Sequence, residues 1–333
     1  MLERDERGIA LQEYLALAAR AAALLSPFAE QRPAAEQILL QDDLVVARRF
    51  GARGAGLHEQ SHRPPILRRS GFSCDFFAAD AVLWRREHGA NRGFVDIGHD
   101  LGYVMDAVRL IRRELNERVP LIGFAGSPWT LACYMIEGEG SASFARAKAL
   151  AWDDPKLMHT LLETLARSVA AYLAGQAAAG AQALMVFDTW GGLLGPAQFR
   201  EFSLRWLGEI VARLKADPVA RDLPIILFSK GANAHLEALA DTGCAALGVD
   251  WTISIGQARK RVGDRVALQG NLDPVALAAS PDAIKREVRA VLDDFGADAG
   301  HVFNLGHGIT PDIKPEHVAL LVDTVHALST RSG

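Results

Sequence analysis

Six short apolar runs, each halting at glycine or polar residues and each followed by a helical pattern, constrain this chain more than any other feature. They are Pro120 to Ser127, Ala183 to Thr189, Pro224 to Lys230, Ala246 to Trp251, Val266 to Asn271 and the stretch Phe303-Asn-Leu-Gly-His-Gly-Ile309. The last reads as a buried strand that stops at a glycine-flanked histidine, His307. Repetition of strand, loop and helix is the pattern of a parallel sheet closed into a barrel, so the expected fold class is α/β, a (β/α)8 TIM barrel. Apolar periodicity predicts helices over Leu101–Glu117, Pro155–Ala179, Pro196–Lys215, Asn233–Thr242, Ser254–Val262, Ser280–Phe295 and Pro315–Leu328, with proline or glycine at most joins.

The first 99 residues do not share this regularity. Leu11–Leu25 and Ala34–Phe50 are helical in part, whereas Gly51–Gly71 mixes glycine, histidine, arginine and proline without a usable period. The best candidates for the first two barrel strands are Ile38–Val46 and Phe72–Leu83, although both carry charges where a buried parallel strand is apolar. The expectation is therefore a single domain over 1–333, with an atypical N-terminal portion (1–99) and a regular barrel portion (100–330).

Half of the 333 residues are hydrophobic and the formal net charge is -4, a balance with no general affinity for nucleic acid or membrane. An anionic ligand must then meet local positive groups. Cys74, Cys133 and Cys244 lie far apart and form no Cys-x-x-Cys pair, which argues against a disulfide scaffold or a thiolate metal site. The barrel portion has no His-x-Cys, His-x-His or Glu-x-x-His spacing, so no metal is expected. The Ala-rich run Leu15–Leu25 is too short to span a bilayer, and a soluble, cytoplasmic protein is expected.

In a parallel barrel the strand ends and the loops after them converge on one face, so residues remote in sequence form one site. Here those clusters are Gly126-Ser-Pro-Trp-Thr130 with Tyr134, Phe187-Asp-Thr-Trp-Gly-Gly192, Ser229-Lys-Gly231, Asp250-Trp-Thr252, Gln269-Gly-Asn-Leu-Asp273 and Asn304-Leu-Gly-His-Gly308. A lone strand-end histidine is more often a structural hydrogen bonder than a functional group; the open-face position of His307 favours a ligand contact. Tyr134 by itself reads as an amphipathic helix residue, and Trp129, Trp190 and Trp251 as packing groups at the barrel mouth. His301 starts its strand, near the opposite end, and reads as structural. The runs Arg109-Leu-Ile-Arg-Arg-Glu114 and Arg259-Lys-Arg261 read as solvated helix faces.

Taken in order and spacing, these clusters resemble the uroporphyrinogen decarboxylase family. The most specific pieces are Leu101-Gly-Tyr-Val-Met-Asp-Ala-Val-Arg109, Pro120-Leu-Ile-Gly-Phe-Ala-Gly-Ser-Pro-Trp-Thr-Leu131, Phe187-Asp-Thr-Trp-Gly-Gly192, Val266-Ala-Leu-Gln-Gly-Asn-Leu-Asp-Pro274 and His301-Val-Phe-Asn-Leu-Gly-His-Gly-Ile309. The resemblance implies a (β/α)8 barrel, a homodimer, and a cofactor-free carboxy-lyase. Such an enzyme removes carbon dioxide from the four acetate side chains of uroporphyrinogen III in haem and chlorophyll biosynthesis. It also implies substrate-binding roles for Tyr134, Thr189 and His307. Two rivals are an inactive porphyrinogen-binding relative, and a zinc-dependent corrinoid:thiol methyltransferase, against which the missing His-x-Cys ligand set speaks.

The family's N-terminal signature, Met-Arg-Gln-Ala-Gly-Arg-Tyr-Leu-Pro-Glu-Tyr, and its later Phe-Ser-Asp-Ile are absent from this chain. Short islands survive in Glu6-Arg-Gly-Ile-Ala-Leu-Gln-Glu-Tyr14, Ala34-Ala-Glu-Gln-Ile-Leu-Leu-Gln41 and Arg48-Arg-Phe-Gly-Ala52. Aligned on them, the two arginine positions fall on Asp5 and Ile9 and the aspartate near Gln60, so no catalytic residue is assigned. Ordinary drift spares chemistry and varies surface; here the order is reversed, as if the reading frame had slipped and recovered near Asp100. The coding DNA read in its other frames is expected to contain Arg-Gln-Ala-Gly-Arg and Phe-Ser-Asp. Sequencing checks this, and their absence from every frame would leave true divergence as the explanation.

Overall fold

The computed structural model describes residues 101–138, 140–263, 265–297 and 299–329. Six strands follow one another in chain order: β1 (Ile122–Gly126), β2 (Ala183–Asp188), β3 (Ile225–Ser229), β4 (Ala246–Gly248), β5 (Ala267–Leu272) and β6 (His301–Leu305). Each pairs in parallel with the next, in a register that sets Phe124 beside Met185, Phe187 beside Phe228, and Gly270 beside Phe303. Helix α1 (Gly102–Leu115) precedes β1, and α2 (Pro128–Glu137), α3 (Ala145–Asp153) and α4 (Pro155–Ala178) lie between β1 and β2. Helices α5 (Arg205–Ala216), α6 (Leu236–Ala240), α7 (Ile255–Val262) and α8 (Pro281–Phe295) separate the remaining strands, and α9 (Pro315–Ser329) follows β6.

Two periodicities meet in the core. Along β2, Leu184 and Val186 face the helices and join Leu162, Leu165 and Leu173 of α4 and Leu207, Ile210 and Leu214 of α5 in one buried cluster. The alternate positions Met185 and Phe187 turn inward and pack with Phe124, Ile226, Phe228, Ala246 and Ala267, all strand residues. Among the described residues the helices therefore cover only one face of this inner cluster's sheet. A doubly wound sheet is covered by helices on both faces, whereas a barrel keeps its inner face for strand side chains. The α/β barrel class read from the sequence holds on this ground. The first two strand candidates, Ile38–Val46 and Phe72–Leu83, lie outside the described residues.

The helix starts follow from local chemistry. Ser127, Asp154, Ser254 and Ser280 each cap a helix by accepting a bond from a backbone N–H in its first turn, and proline occupies the first helical position at Pro128, Pro155 and Pro281. Gln176, buried in α4, binds both backbone groups of Phe124: its carbonyl oxygen accepts from the N–H at 3.0 Å and its amide donates to the C=O at 2.9 Å. One side chain thus ties the longest helix to β1.

Four expectations are corrected. The helix expected over Pro196–Lys215 is interrupted: a short turn at Pro196–Gln198 leads into a π-helical segment at Phe199–Leu204 before α5 begins. This segment buries Phe199, Phe202 and Ser203, and the Ser203 hydroxyl donates to Asp188 Oδ2 at 2.6 Å. Asn233–Thr242 begins as a 3₁₀ turn and is helical only over Leu236–Ala240. β4 ends at Gly248 and not at Trp251, because the Asp250 carboxylate gathers loop groups around itself. The strand at His301–Leu305 is not buried throughout: His301, Phe303 and Leu305 are partly covered, while Val302 and Asn304 on the inner face are exposed. Helix α3 carries no proline or glycine start signal and was not anticipated.

Arg259 and Arg261 also depart from the solvated face expected of them. Arg261 donates to both carboxylate oxygens of Glu237 at 2.7 and 2.6 Å and to the Asn233 carbonyl at 2.6 Å, while Arg259 lies over the Phe295 ring and donates to its carbonyl. These two side chains fasten α7 to α6 and α8. The hydrogen bonds from Arg261 hold the Glu237 carboxyl down to about 2.

Candidate active site

All six strands run the same way, so Ser127, Asp188, Ser229, Asp250 and His307 emerge at one end of the sheet. The deepest group there is Asp188, which is wholly buried. Its Oδ1 accepts from the Ser127 hydroxyl at 2.5 Å and from the Thr130 hydroxyl at 3.3 Å; its Oδ2 accepts from Ser203 at 2.6 Å and Ser229 at 2.8 Å. The caps leave those hydroxyl protons free to donate, since Ser127 Oγ accepts from the Thr130 N–H and Thr130 Oγ1 accepts from the Trp190 N–H. Burial pushes the Asp188 carboxyl upward, and the four hydroxyl bonds pull against that shift. A methyl group at Gly191 would lie 1.8 Å from Asp188 Oδ2 and 2.5 Å from Ser229 Oγ, so only glycine closes this turn.

A second carboxylate, Asp250, organises the neighbouring loop. It accepts from the Gly231 N–H, the Asn233 amide at 2.9 Å, the Thr252 N–H at 2.8 Å and the Thr252 hydroxyl at 2.6 Å. Burial alone would raise its pKa, yet these bonds outweigh burial and hold it low. The loop after β6 presses on this one: a Cβ at Gly306 would meet the Trp251 N–H nitrogen at 2.7 Å and Asp250 Cα at 3.1 Å. His307 is thereby brought beside Phe228, with ring centroids 6.1 Å apart. Its pKa is lowered by burial first and by the Lys230 ammonium next, with Asp250 opposing.

Of the residues singled out in the sequence, Thr189 directly follows β2 and Tyr134 lies in α2, both half-buried. The Tyr134 ring meets Trp190 edge-on at 6.1 Å and Phe144 at 5.7 Å. Trp190 is thus the bridge between the Thr189 loop and Tyr134. His307 reaches the same end from the β6 side, through the inner aromatic row Phe124, Phe187 and Phe228. Trp129 is fully buried and donates to the Trp190 carbonyl at 3.2 Å, as a packing group does. Trp251 is 36% exposed and carries Lys230 over its ring, so packing does not account for it. His301 shares a bond with the Gly270 carbonyl at 2.8 Å and stacks on Phe295 at 4.4 Å, away from the strand ends, and its structural role holds.

The hydroxyl network around Asp188 was missed in the sequence, although Ser127, Asp188 and Ser229 all stood in strand-end clusters. Ser203 was out of reach, because helical spacing gives no hint of the π segment that aims it. Among the described residues no group of three or more His, Cys, Asp or Glu side chains is arranged to hold a metal ion. No described helix is long and apolar enough to cross a membrane. Cys133 and Cys244 are buried free thiols.

The family model described as uroporphyrinogen decarboxylase (URO-D) matches residues 88–328. The chain belongs to the uroporphyrinogen decarboxylase family. The uroporphyrinogen decarboxylase of Thioalkalivibrio sulfidiphilus is 52% identical over 297 residues, which cover 89% of this chain and 80% of that protein. Those of Pseudomonas putida and Xanthomonas euvesicatoria are 57% and 58% identical over 232 and 244 residues, covering 70% and 72% of this chain and 66% and 69% of theirs. Among solved structures, a methyltransferase from Methanosarcina mazei superposes with a TM-score of 0.59 at 24% identity, covering 68% of this chain and 64% of that one. At that identity the likeness concerns the fold alone.

Two predictions follow from the geometry. Gly191→Ala is expected to lower the free energy of unfolding by about 1 to 3 kcal/mol, the range for overpacking a filled interior; an unchanged urea midpoint would show that the turn can yield. The histidines set a pH dependence. His301 and His307 both have folded pKa values below 6.5, so the unfolded chain binds more protons just below that pH. Their contribution is complete above pH 6.5 and is lost as the pH falls through the folded values. Urea titrations from pH 7.5 to 5 should show stability declining, and declining less in His301→Gln; equal slopes in the two proteins would remove His301 from the account.

Proposed function

We propose that this chain catalyses decarboxylation of the four acetate side chains of uroporphyrinogen III to give coproporphyrinogen III. The observation that carries the proposal is identity of 52% to 58% to proteins of that name, together with a family model whose span, residues 88–328, includes every strand-end loop described above. In each step a side-chain carboxylate leaves as carbon dioxide, the carbon–carbon bond pair flows into a ring-protonated pyrrole, the methylene gains a proton to become methyl, and the ring proton is released to restore the pyrrole. The substrate is its own electron sink, so the protein's work is binding, orientation and proton placement. Tyr134, Thr189 and His307 would meet substrate carboxylates at the strand-end face, and the lowered pKa of His307 would rise as a carboxylate binds.

The missing arginine and aspartate signatures temper the expected rate. A group that stabilises developing charge typically contributes about a hundredfold or more, so this polypeptide should release carbon dioxide slowly from uroporphyrinogen III. Turnover at the rate of an intact relative would show that other residues have taken over those roles. His307→Ala is expected to weaken substrate binding by about 1.5 to 3 kcal/mol, the range for a hydrogen bond to a charged group. An unchanged Michaelis constant and turnover would count against His307.

A homodimer and a cytoplasmic location belong to the same proposal, and both rest on likeness to the family. Sedimentation at micromolar concentration should give twice the 35.9 kDa chain mass. A monomer would refute the dimer.

A further inference from the structure

We propose that Lys230 is an additional substrate-positioning residue, whose ammonium binds a peripheral carboxylate of the tetrapyrrole at the His307 side of the site. The inference rests on the functional reading above and adds to it a cation that neither composition nor the strand-end histidine supplied. Three observations carry it.

First, the Lys230 backbone is clamped. Its N–H donates to the Asp188 carbonyl at 3.2 Å, its C=O accepts from the Gly192 N–H at 3.1 Å, and the next N–H, of Gly231, donates to the Asp250 carboxylate. The strand-end loops of β2, β3 and β4 thus fix where this side chain begins, and such fixing lowers the cost of orienting it toward a ligand. Second, its charge is uncommitted. Asp250, the carboxylate of the adjoining strand-end loop, has both oxygens taken by Gly231, Asn233 and Thr252. Among the described residues no ion pair includes Lys230. Its Nζ instead lies 5.8 Å from the centroid of the half-exposed Trp251 ring.

Third, the placement suits a polyanion. Lys230 is near enough to His307 to disfavour a second positive charge there, and a carboxylate bound between them would meet the ammonium on one side and an imidazole N–H on the other. The net charge of -4 gives no general attraction for an octa-acid, so each such ligand carboxylate needs its own local donor. Lysine serves as a compact point charge with three rotatable donors and tolerates the different carboxylate positions that successive decarboxylations present.

The test is a titration of the full chain with the stable, oxidised octacarboxylate uroporphyrin III, followed by quenching of tryptophan fluorescence. Wild type is compared with Lys230→Met, Lys230→Gln and Lys230→Arg. Both neutral variants should bind about tenfold more weakly or worse, as expected for loss of a charge-assisted bond, whereas Lys230→Arg should stay within about threefold of wild type. The two neutral variants guard against one that does not fold. With uroporphyrinogen III, loss should appear in KM more than in kcat, which a purely structural role would not produce. Wild-type affinity in a folded neutral variant overturns the proposal. A chain that releases no carbon dioxide yet loses porphyrin affinity in both neutral variants would sink the decarboxylase reading and leave Lys230 as the anchor.

Discussion

One buried carboxylate holds the site end of this sheet together. Asp188 gathers hydroxyls from the loop after β1, the first turn of α2, the π segment and the end of β3. Taking a carboxylate out of water is costly, and the cost is recovered only when its lone pairs are filled by well-aimed donors. Here four hydroxyls fill them. The arrangement trades stability for definition: a hydrophobic plug of equal volume would pack, but it would not dictate where Thr189 and Lys230, the residues next to Asp188 and Ser229, leave the sheet. The π segment that interrupts the Pro196–Lys215 helix supplies one of these donors, Ser203.

Legibility of the sequence followed the reach of each signal. Strand and helix positions depend on local apolar period, and β2, β5, β6, α4 and α8 fall within a residue or so of where that period put them. Strand-end polar residues were also visible as a class, because a parallel barrel sends them all to one face whatever their separation in sequence. The pairing among them was not visible. Nothing in Ser127, Ser203 or Ser229, which stand 61, 15 and 41 residues from Asp188, marks them as partners of one aspartate, and nothing in Lys230 marks it as a cation outside the described ion pairs. Such facts depend on which side chain has already spent its hydrogen bonds, and that accounting exists only in three dimensions. Arg259 and Arg261 failed for the complementary reason: a basic run on a helix looks solvated until neighbouring helices bring it Glu237 and a carbonyl.

Family membership and site geometry constrain different things. The comparisons bear on the class of reaction: the family model spans residues 88–328, and the Thioalkalivibrio relative is aligned over 297 residues. The geometry bears on what these particular loops offer: an aromatic floor formed by Phe124, Phe187 and Phe228, an imidazole kept neutral by burial and by a nearby ammonium, and a tyrosine held against Trp190. An aromatic floor suits the faces of pyrrole rings, while rim donors suit peripheral carboxylates.

The division of labour also explains why the loss of N-terminal signatures falls on rate more than on recognition. Ground-state binding of a polycarboxylate is spread over many rim donors, and each contributes a modest share in partly aqueous surroundings. Transition-state stabilisation is concentrated: charge developing at one pyrrole responds to one or two pre-organised groups beneath it. Removing those groups while His307, Lys230, Tyr134 and Thr189 remain would leave a protein that still selects an octa-acid and holds it against the aromatic floor, with little left to lower the barrier. On the proposed function, binding and turnover are therefore expected to separate in this chain, and a measurement of either one alone does not establish the other.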